Sequence, residues 1–389
     1  MSKKLGVVVV VLGLFLLPAS CPGAPEVRTA RSQNANAAAH IAGFLLRLQD
    51  SNGAISDEPG SPVVNEDSNM EYALTGLAAA YRHNRDPRYL RGLDRGIRWL
   101  AAREEMTDQR WRGSWFYTFS AKPPYQPVPT SPGPGVVDVR GVDTTSALFV
   151  YLLYLRSELS GSVAVSHRYE KNARAALGFI LKRNRSRGGL FYSSWQQRTS
   201  GGSWQLWRFR YAADQGDVYL GLRAGWLLYR DRQYLRAANR LRERTGAALF
   251  APSLGRYAVG IDVDRSQERD LEGFDGVFPQ GYLGWIWGNT TANKGALAWL
   301  AARVQPSGAL HCYSGDPNYS LSAAIFAMAS GSLRARSAAS SLNWIVRHTY
   351  SRKDVSVRDS LTLGSEKYAN VAGFSLIALL GFPALPGDS

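Results

Sequence analysis

Cysteine is almost absent from this sequence, with only Cys21 and Cys312 among 389 residues. Two cysteines form one disulfide at most, so a disulfide framework is not what holds the chain together. Histidine is also scarce, and no spacing of Cys and His is typical of a metal site. We therefore expect neither a metal nor a cofactor.

A dense run of basic residues is also missing, although the formal net charge is +15 and 38 of the 46 basic residues are arginine. Without such a run, the sequence does not predict a groove for nucleic acid. Arginine forks bind carboxylate, sulfate or phosphate groups, which favours an anionic saccharide as partner. The alternative is an arginine-rich composition spread over a solvated surface.

No apolar run reaches the roughly 20 residues that a membrane-spanning helix needs. The run Leu5–Leu17 follows Lys3 and Lys4 and precedes small residues, which is typical of a secretion signal. The segment Leu17–Cys21 also resembles a bacterial lipobox, so Cys21 is a candidate lipidation site and lipid anchor; plain secretion is the alternative. We expect an exported protein, either periplasmic, extracellular or a cell-surface lipoprotein.

Apolar periodicity divides the rest of the chain into two alternating kinds of helix. Six segments bury one face only, and six others are apolar on nearly every face and must be surrounded by protein. The one-sided segments are 34–49, 88–103, 167–183, 232–248, 293–304 and 333–349. The fully apolar segments are 69–82, 144–158, 215–229, 279–289, 319–330 and 367–380. The alternation predicts an all-α (α/α)6 toroid over 34–389, preceded by a signal at 1–21 and a linker at 22–33.

The connections between these segments differ in length according to their direction. Those from an inner to an outer segment are tight, whereas those from an outer to an inner segment are long and rich in aromatic residues. All inner helices should then run parallel, with every long loop at one mouth of the ring. Functional sites concentrate in such loops. A turn containing glycine recurs where several long loops begin, within Leu48–Ile55, Arg187–Phe191 and Gln305–Leu310.

Acidic residues recur where the inner segments begin. They are Glu66, Asp67, Glu71, Asp143, Asp214, Asp217, Glu272, Asp275, Asp316 and Glu366. Capping of helix N-termini explains single acids such as Asp143. Three acids crowd the first inner segment, however, and crowded carboxyl groups raise one another's pKa, which keeps one of them protonated for proton donation.

The chain resembles the six-hairpin glycosidase-like (α/α)6 superfamily, on the strength of three segments that open inner helices. These are Asn65–Asn69, Ala212–Leu222 and Phe274–Tyr282. In inverting members such as the family 8 cellulase-like enzymes, a Glu at the first inner helix donates the proton and an Asp at the fourth acts as base. The resemblance implies Glu66 as donor and Asp275 as base. Their neighbours Asp67 and Glu272 are further candidates for the same two roles.

The remaining candidates would bind the sugar, by polar contacts or by aromatic stacking. They are Asp143, Asp214, Asp217, Gln280, Asp316, Trp115, Trp207 and Tyr211. The sequence thus predicts a glycoside hydrolase acting on an oligo- or polysaccharide.

Three alternatives remain open. A lyase acting on a uronate polymer would use arginine to neutralise the carboxylate and Tyr72, Tyr211 or Tyr282 to abstract a proton. A surface protein without catalysis would bind glycan or envelope polymer through the ring. A terpenoid-type cyclase shares the toroid, but no Asp-rich diphosphate motif is visible in the sequence.

Overall fold

A computed structural model describes residues 24–131, 133–264, 268–270, 276–310, 320–332, 338–351, 356–357 and 369–386. Thirteen α-helices lie in these ranges. In chain order they are α1 (Ala24–Leu48), α2 (Asn69–Asn84), α3 (Pro87–Ala101), α4 (Asp143–Ser160), α5 (Ala164–Arg168), α6 (Glu170–Phe179), α7 (Ala212–Tyr229), α8 (Arg232–Leu249), α9 (Phe278–Trp287), α10 (Thr291–Ala301), α11 (Ser320–Ser332), α12 (Ala338–Trp344) and α13 (Ala369–Leu380).

Six of these helices form a closed inner ring. Helices α2, α4, α7, α9, α11 and α13 each pack against the next, and α13 returns to α2. Helices α1, α3, α6, α8, α10 and α12 lie outside them, and α6 and α12 each continue into one π-helical turn, Ile180–Asn184 and Ile345–Thr349. The predicted (α/α)6 toroid is confirmed. Helix α1 begins at Ala24 and so takes up most of the stretch predicted as linker.

Side-chain caps at the tight turns explain where several outer helices begin. Asp86 accepts a hydrogen bond from the backbone N–H of Arg88 at 2.9 Å, and Pro87 occupies the first helical position. Asp231 caps α8 in the same way, through the N–H of Gln233 at 2.8 Å. Each cap satisfies a backbone donor that the helix leaves free, so the reversal from inner to outer helix needs only a few residues.

Glycine lets the inner helices approach closely in pairs. A Cβ atom at Gly76 of α2 would lie 2.7 Å from the Cα of Gly373 on α13, which is closer than atoms pack. A Cβ atom at Gly221 of α7 would likewise come too close to the carbonyl of Ala147 on α4. A Cβ atom at Gly281 of α9 would come too close to the carbonyl of Ile325 on α11. The inner ring is therefore built from three tightly packed helix pairs.

Where the structure describes them, the long loops fold into five small antiparallel sheets that the sequence did not predict. Their strands are β1 (Val63–Val64), β2 (Phe119–Ser120), β3 (Asp138–Arg140), β4 (Ser194–Gln197), β5 (Gln205–Trp207), β6 (Phe209–Tyr211), β7 (Phe250–Ala251), β8 (Arg256–Tyr257), β9 (Gly260–Asp262), β10 (Glu268–Asp270), β11 (Tyr350–Ser351) and β12 (Ser356–Val357). Strands pair in the orders β1-β2, β3-β4-β5, β10-β9-β6, β7-β8 and β11-β12. No helix among the described residues is long and apolar enough to cross a membrane.

Candidate functional site

A cavity of about 500 Å³ lies at the end of the ring where the inner helices begin. Every inner helix contributes a lining residue from its first two turns: Tyr72, Thr144, Ala213, Phe278, Leu321 and Asn370. The inner helices therefore share one starting end, as their connections predicted. The volume falls within the range of small-molecule sites, roughly 300–1,000 Å³.

The wall of the cavity comes from the sheet β3-β4-β5 and from neighbouring aromatic residues. Val139, Ser194, Gln196 and Trp207 line it from the sheet, where Ser194 pairs with Trp207. Other aromatic side chains in the lining are Tyr72, Tyr117, Tyr211, Phe278 and Phe374. Flat rings with polar edges suit the apolar faces of a sugar.

Asp67 and Asp214 are the acidic residues among the described lining. Asp67 is exposed and sits before α2 in a left-handed conformation (φ 49°). Asn65 and Ser68 on either side also have positive φ, 61° and 62°. Such conformations cost about 1–3 kcal/mol each and cluster at functional sites.

Hydrogen bonds hold this unusual turn in place. The Asn65 side-chain oxygen accepts from the N–H of Met70 at 3.1 Å, and its amide donates to Glu71 at 3.3 Å. The hydroxyl groups of Ser68 and Thr145 lie 2.8 Å apart and join the turn to the start of α4. The surrounding structure thus fixes Asp67 at the cavity edge.

The other acids of this segment lie behind the cavity. The N–H of the half-buried Glu66 donates to the carboxyl of Asp57 at 3.2 Å. Burial, together with the nearby charge of Glu66, raises the pKa of Asp57 to about 7. Burial likewise raises the pKa of Glu71 to about 8. Of the three acids predicted at the first inner helix, only Asp67 is part of the described lining.

Asp217 joins four inner helices beneath the cavity. Its carboxyl accepts hydrogen bonds from Tyr282 at 2.5 Å, Tyr72 at 3.0 Å and Thr144 at 3.4 Å. Burial raises the pKa of Asp217 well above its usual range. Burial does the same to Asp143, and the charges of Asp214 and Asp217 add to the effect. Asp217 lies close behind the lining, because its partners Tyr72 and Thr144 both line the cavity.

The structure separates the remaining sequence candidates. Trp207 and Tyr211 line the cavity. Trp115 is buried, and its indole N–H donates to the carbonyl of Leu100 at 2.8 Å, so the ring packs against the helices and not against the cavity. Gln280 is buried too. Its side-chain amide accepts a hydrogen bond from the N–H of Tyr257 and donates one to the carbonyl of the same residue. The predicted Glu272, Asp275, Asp316 and Cys21 lie outside the described residues.

Two features of the site have no counterpart in the sequence reasoning. Arg198 lies at the exposed rim, where its guanidinium donates to the carbonyl of Gly135 at 3.3 Å. Asp57 carries no local signal, since it approaches Glu66 only through the fold. Within the described ranges, no group of three or more His, Cys, Asp or Glu is placed to hold a metal ion.

Solved structures share this fold across nearly the whole chain. One is a possible member of the GH105 family from Salmonella enterica subsp. enterica serovar Paratyphi A, with a TM-score of 0.64 and 13% identity over 97% of this chain and 98% of that one. The unsaturated glucuronyl hydrolase of Bacillus sp. GL1 has a TM-score of 0.60 and 15% identity over 90% and 96%. That of Streptococcus agalactiae has a TM-score of 0.64 and 10% identity over 91% and 92%.

These identities establish a shared fold. No protein-family model matches the sequence. No curated protein matches it either.

Proposed function

We propose that the protein is a glycoside hydrolase that takes one end of a saccharide chain into the cavity. The observation that carries this proposal is the presence of two carboxyl groups, Asp67 and Asp214, in the lining of one cavity that also has a wall of aromatic rings. The fold neighbours named as hydrolases of saccharides support the same chemistry. A cavity of about 500 Å³ holds one or two sugar rings better than the middle of a long polymer.

Hydrolysis needs two carboxyl groups with different protonation. One, as the acid, gives its proton to the glycosidic oxygen, and the bond to the anomeric carbon breaks; the other, as the base, takes a proton from the attacking water. We assign the role of acid to Asp67, because it belongs to a cluster of carboxyl groups that also includes Asp57, Glu66 and Glu71. We assign the base to Asp214, on the neighbouring wall. Asp275 and Glu272 stay candidates for the base from the sequence.

The test begins with a search for turnover. Release of reducing ends from neutral and acidic polysaccharides, and of the phenol from aryl glycosides, identifies a substrate. On that substrate, Asp67→Asn and Asp214→Asn should each lower kcat by about 100-fold or more. Asparagine tolerates left-handed backbone as well as aspartate does, so Asp67→Asn keeps the turn intact.

Asp264→Asn is the matched control, because that carboxyl group is 63% exposed. It should leave kcat unchanged. Equal activity of the Asp67→Asn, Asp214→Asn and control proteins would reject the assignment of both residues.

A second candidate is hydrolysis of an unsaturated uronic acid residue, favoured by two observations. Two of the fold neighbours are named unsaturated glucuronyl hydrolases, and Arg198 offers a cation at the rim for a sugar carboxylate. Consumption of such a residue removes its ultraviolet absorbance, whereas a lyase would create that absorbance. A binding protein would change neither signal and would release no reducing ends.

Export is part of the proposal as well. It rests on the signal-like segment 1–21, which lies outside the described residues. The alternative of a lipid anchor at Cys21 rests on the same segment. Mass analysis of the mature N-terminus separates the two, since lipidation would leave an acylated Cys21 as the first residue.

A further inference from the structure

Arginine side chains lie beside a glycine turn on the outer wall of the ring. The turn Ser186–Gly189 follows the π-helical end of α6, and Gly189 has a φ of +91°. A Cβ atom at Gly189 would lie 3.3 Å from Nε of Arg240 and 3.4 Å from Cγ of Arg244. A Cβ atom at Gly188 would lie 4.0 Å from Nη1 of Arg210. The guanidinium groups of Arg210 and Arg240 and the stem of Arg244 therefore come from two other elements, β6 and α8, to one turn.

Arg210 is the unusual member of this group, because it is only 9% exposed. Its Nε is buried without a hydrogen-bond partner among the described residues, and none of their ion pairs includes it. The Cζ atom of Arg210 lies 5.8 Å from the centre of the Tyr192 ring. A buried cation without a compensating carboxylate is costly. An anion bound at the turn would remove that cost.

The basic surface continues along the outer face of α8. Arg232, Arg236, Arg240 and Arg244 are all exposed and follow one another at every fourth residue. Their Cα atoms are then about 6 Å apart along the helix axis. None of the four belongs to an ion pair within the described part of the chain.

This surface lies close to the cavity. Strand β6 carries Tyr211 into the lining, and successive side chains of a strand point to opposite faces. Arg210 therefore points away from the cavity, towards the glycine turn. Only the strand separates the two sites.

We propose that Arg210, Arg232, Arg236, Arg240 and Arg244 form a second saccharide-binding surface, the arginine face, which binds the carboxylate or sulfate groups of an anionic polysaccharide. The choice of a polysaccharide rests on the proposed function. Arginine forks match the geometry of both groups. A polymer held on the arginine face lies beside the cavity, so its end is retained near the catalytic carboxyl groups between turnovers.

Binding by the full chain is measured with three probes: heparin, which carries sulfates and carboxylates, polygalacturonate, which carries carboxylates alone, and neutral dextran. The unmodified protein should bind at least one of the two anionic probes and not dextran. In the double variant Arg240→Gln/Arg244→Gln, the Kd for that probe should rise about tenfold or more. Both residues are exposed, so the variant is expected to fold.

The control is the double variant Arg91→Gln/Arg98→Gln on α3, which removes the same charge from exposed positions elsewhere on the outer ring. It should keep the Kd nearly unchanged. Equal losses in both variants would show diffuse charge attraction and overturn the proposal, as would equal binding of dextran. Binding confined to vesicles of phosphatidylglycerol would assign the surface to lipid instead and overturn it too.

Turnover keeps this proposal separate from the proposed hydrolase. Cleavage of a short substrate should be the same in the Arg240→Gln/Arg244→Gln protein as in the unmodified one. Loss of probe binding together with no activity in any protein would support the arginine face and reject the hydrolase. Full activity on a saccharide, together with equal binding by both double variants, would support the hydrolase and reject the arginine face.

Discussion

Several buried carboxyl groups have their pKa raised by the fold. Burial raises the pKa of Asp57 to about 7, and those of Glu71 and Glu104 to about 8. Asp57 and Glu71 lie behind the cavity, whereas Glu104 follows the end of α3, where Asn172 and the charge of Arg112 lower its pKa only in part. The folded protein therefore keeps protons that the unfolded chain releases.

This difference predicts how stability depends on pH. Below about pH 3 these groups are protonated in both states, so their ionisation does not change the free energy of unfolding. As the pH rises from about 4.5 to 8, the unfolded chain ionises first, so the free energy of unfolding falls through that window. Urea unfolding at pH 5, 6, 7 and 8 should show a steady decrease. An increase over the same window would contradict the burial of these carboxyl groups.

Removing one of the three charges should restore stability at high pH. Glu104→Gln should raise the free energy of unfolding at pH 8 by roughly 1–3 kcal/mol and have little effect at pH 5. Glu158→Gln, at an exposed position on α4, is the control and should change neither value. A gain of the same size at both pH values would point to packing and not to charge.

At the scale of single residues, the sequence located the acids of the site but did not rank them. Glu66 and Asp67 are neighbours, and the left-handed turn at Asp67 decides which one reaches the cavity. That backbone conformation depends on Asn65 and on contact with Thr145, 77 residues from Ser68. Trp115 was misassigned to stacking for a similar reason, since only the fold places it against Leu100.

At the scale of elements, the recurring glycine turns show a local pattern with a clear physical cause. Gly53, Gly189 and Gly308 have φ values of 107°, 91° and 92°. Each lies in a short turn whose two ends are paired by an isolated β-bridge. A Cβ atom at Gly308 would lie 2.0 Å from the carbonyl of Ser340 on a neighbouring outer helix. Gly113 also has a positive φ, and a Cβ atom there would lie 2.0 Å from the carbonyl of Ala175. The sequence pattern did not include this glycine.

Substitution by alanine tests these turns. Gly308→Ala should lower the free energy of unfolding by about 2 kcal/mol or more, because it adds both backbone strain and a steric clash. Gly246→Ala, inside α8 with open space around it, should instead raise the value by about 0.5–1 kcal/mol. Thermal unfolding of the two variants gives the comparison. Equal effects would mean that the turn tolerates a side chain.

The small sheets escaped prediction because their strands are two to four residues long. Alternation of apolar and polar residues needs a longer stretch to be recognised. Two of the pairings are also non-local: β3 pairs with β4 across more than 50 residues, and β6 pairs with β9. The sheet β3-β4-β5 nevertheless builds the cavity wall.

At the scale of the whole molecule, closure of the ring depends on the contact between its first and last inner helices. A Cβ atom at Gly373 of α13 would lie 2.3 Å from the carbonyl of Tyr72 on α2. Phe374, the next residue, packs on the ring of Tyr72, with centroids 4.6 Å apart. The same contact both closes the toroid and supports the floor of the cavity.

Gly373→Ala should therefore weaken stability and function together. We expect a loss of about 2 kcal/mol or more in the free energy of unfolding, together with a lower kcat on any identified substrate. Gly331→Ala, near the end of α11 in open space, is the control and should change neither. If Gly373→Ala unfolds like the control, the two helices do not pack as closely as the structure shows.

The sequence by itself determined the order and kind of the twelve ring helices, because burial on one face or on all faces leaves a periodic pattern within each segment. The short helix α5 was not predicted. The sequence also determined which end of the ring carries the long loops, since connection lengths are local. Only the tertiary structure decided which acids line the cavity, that Asp217 joins four helices, and that arginines from β6 and α8 lie beside the turn at Gly188 and Gly189. These contacts join residues far apart in the chain, and no local pattern records them.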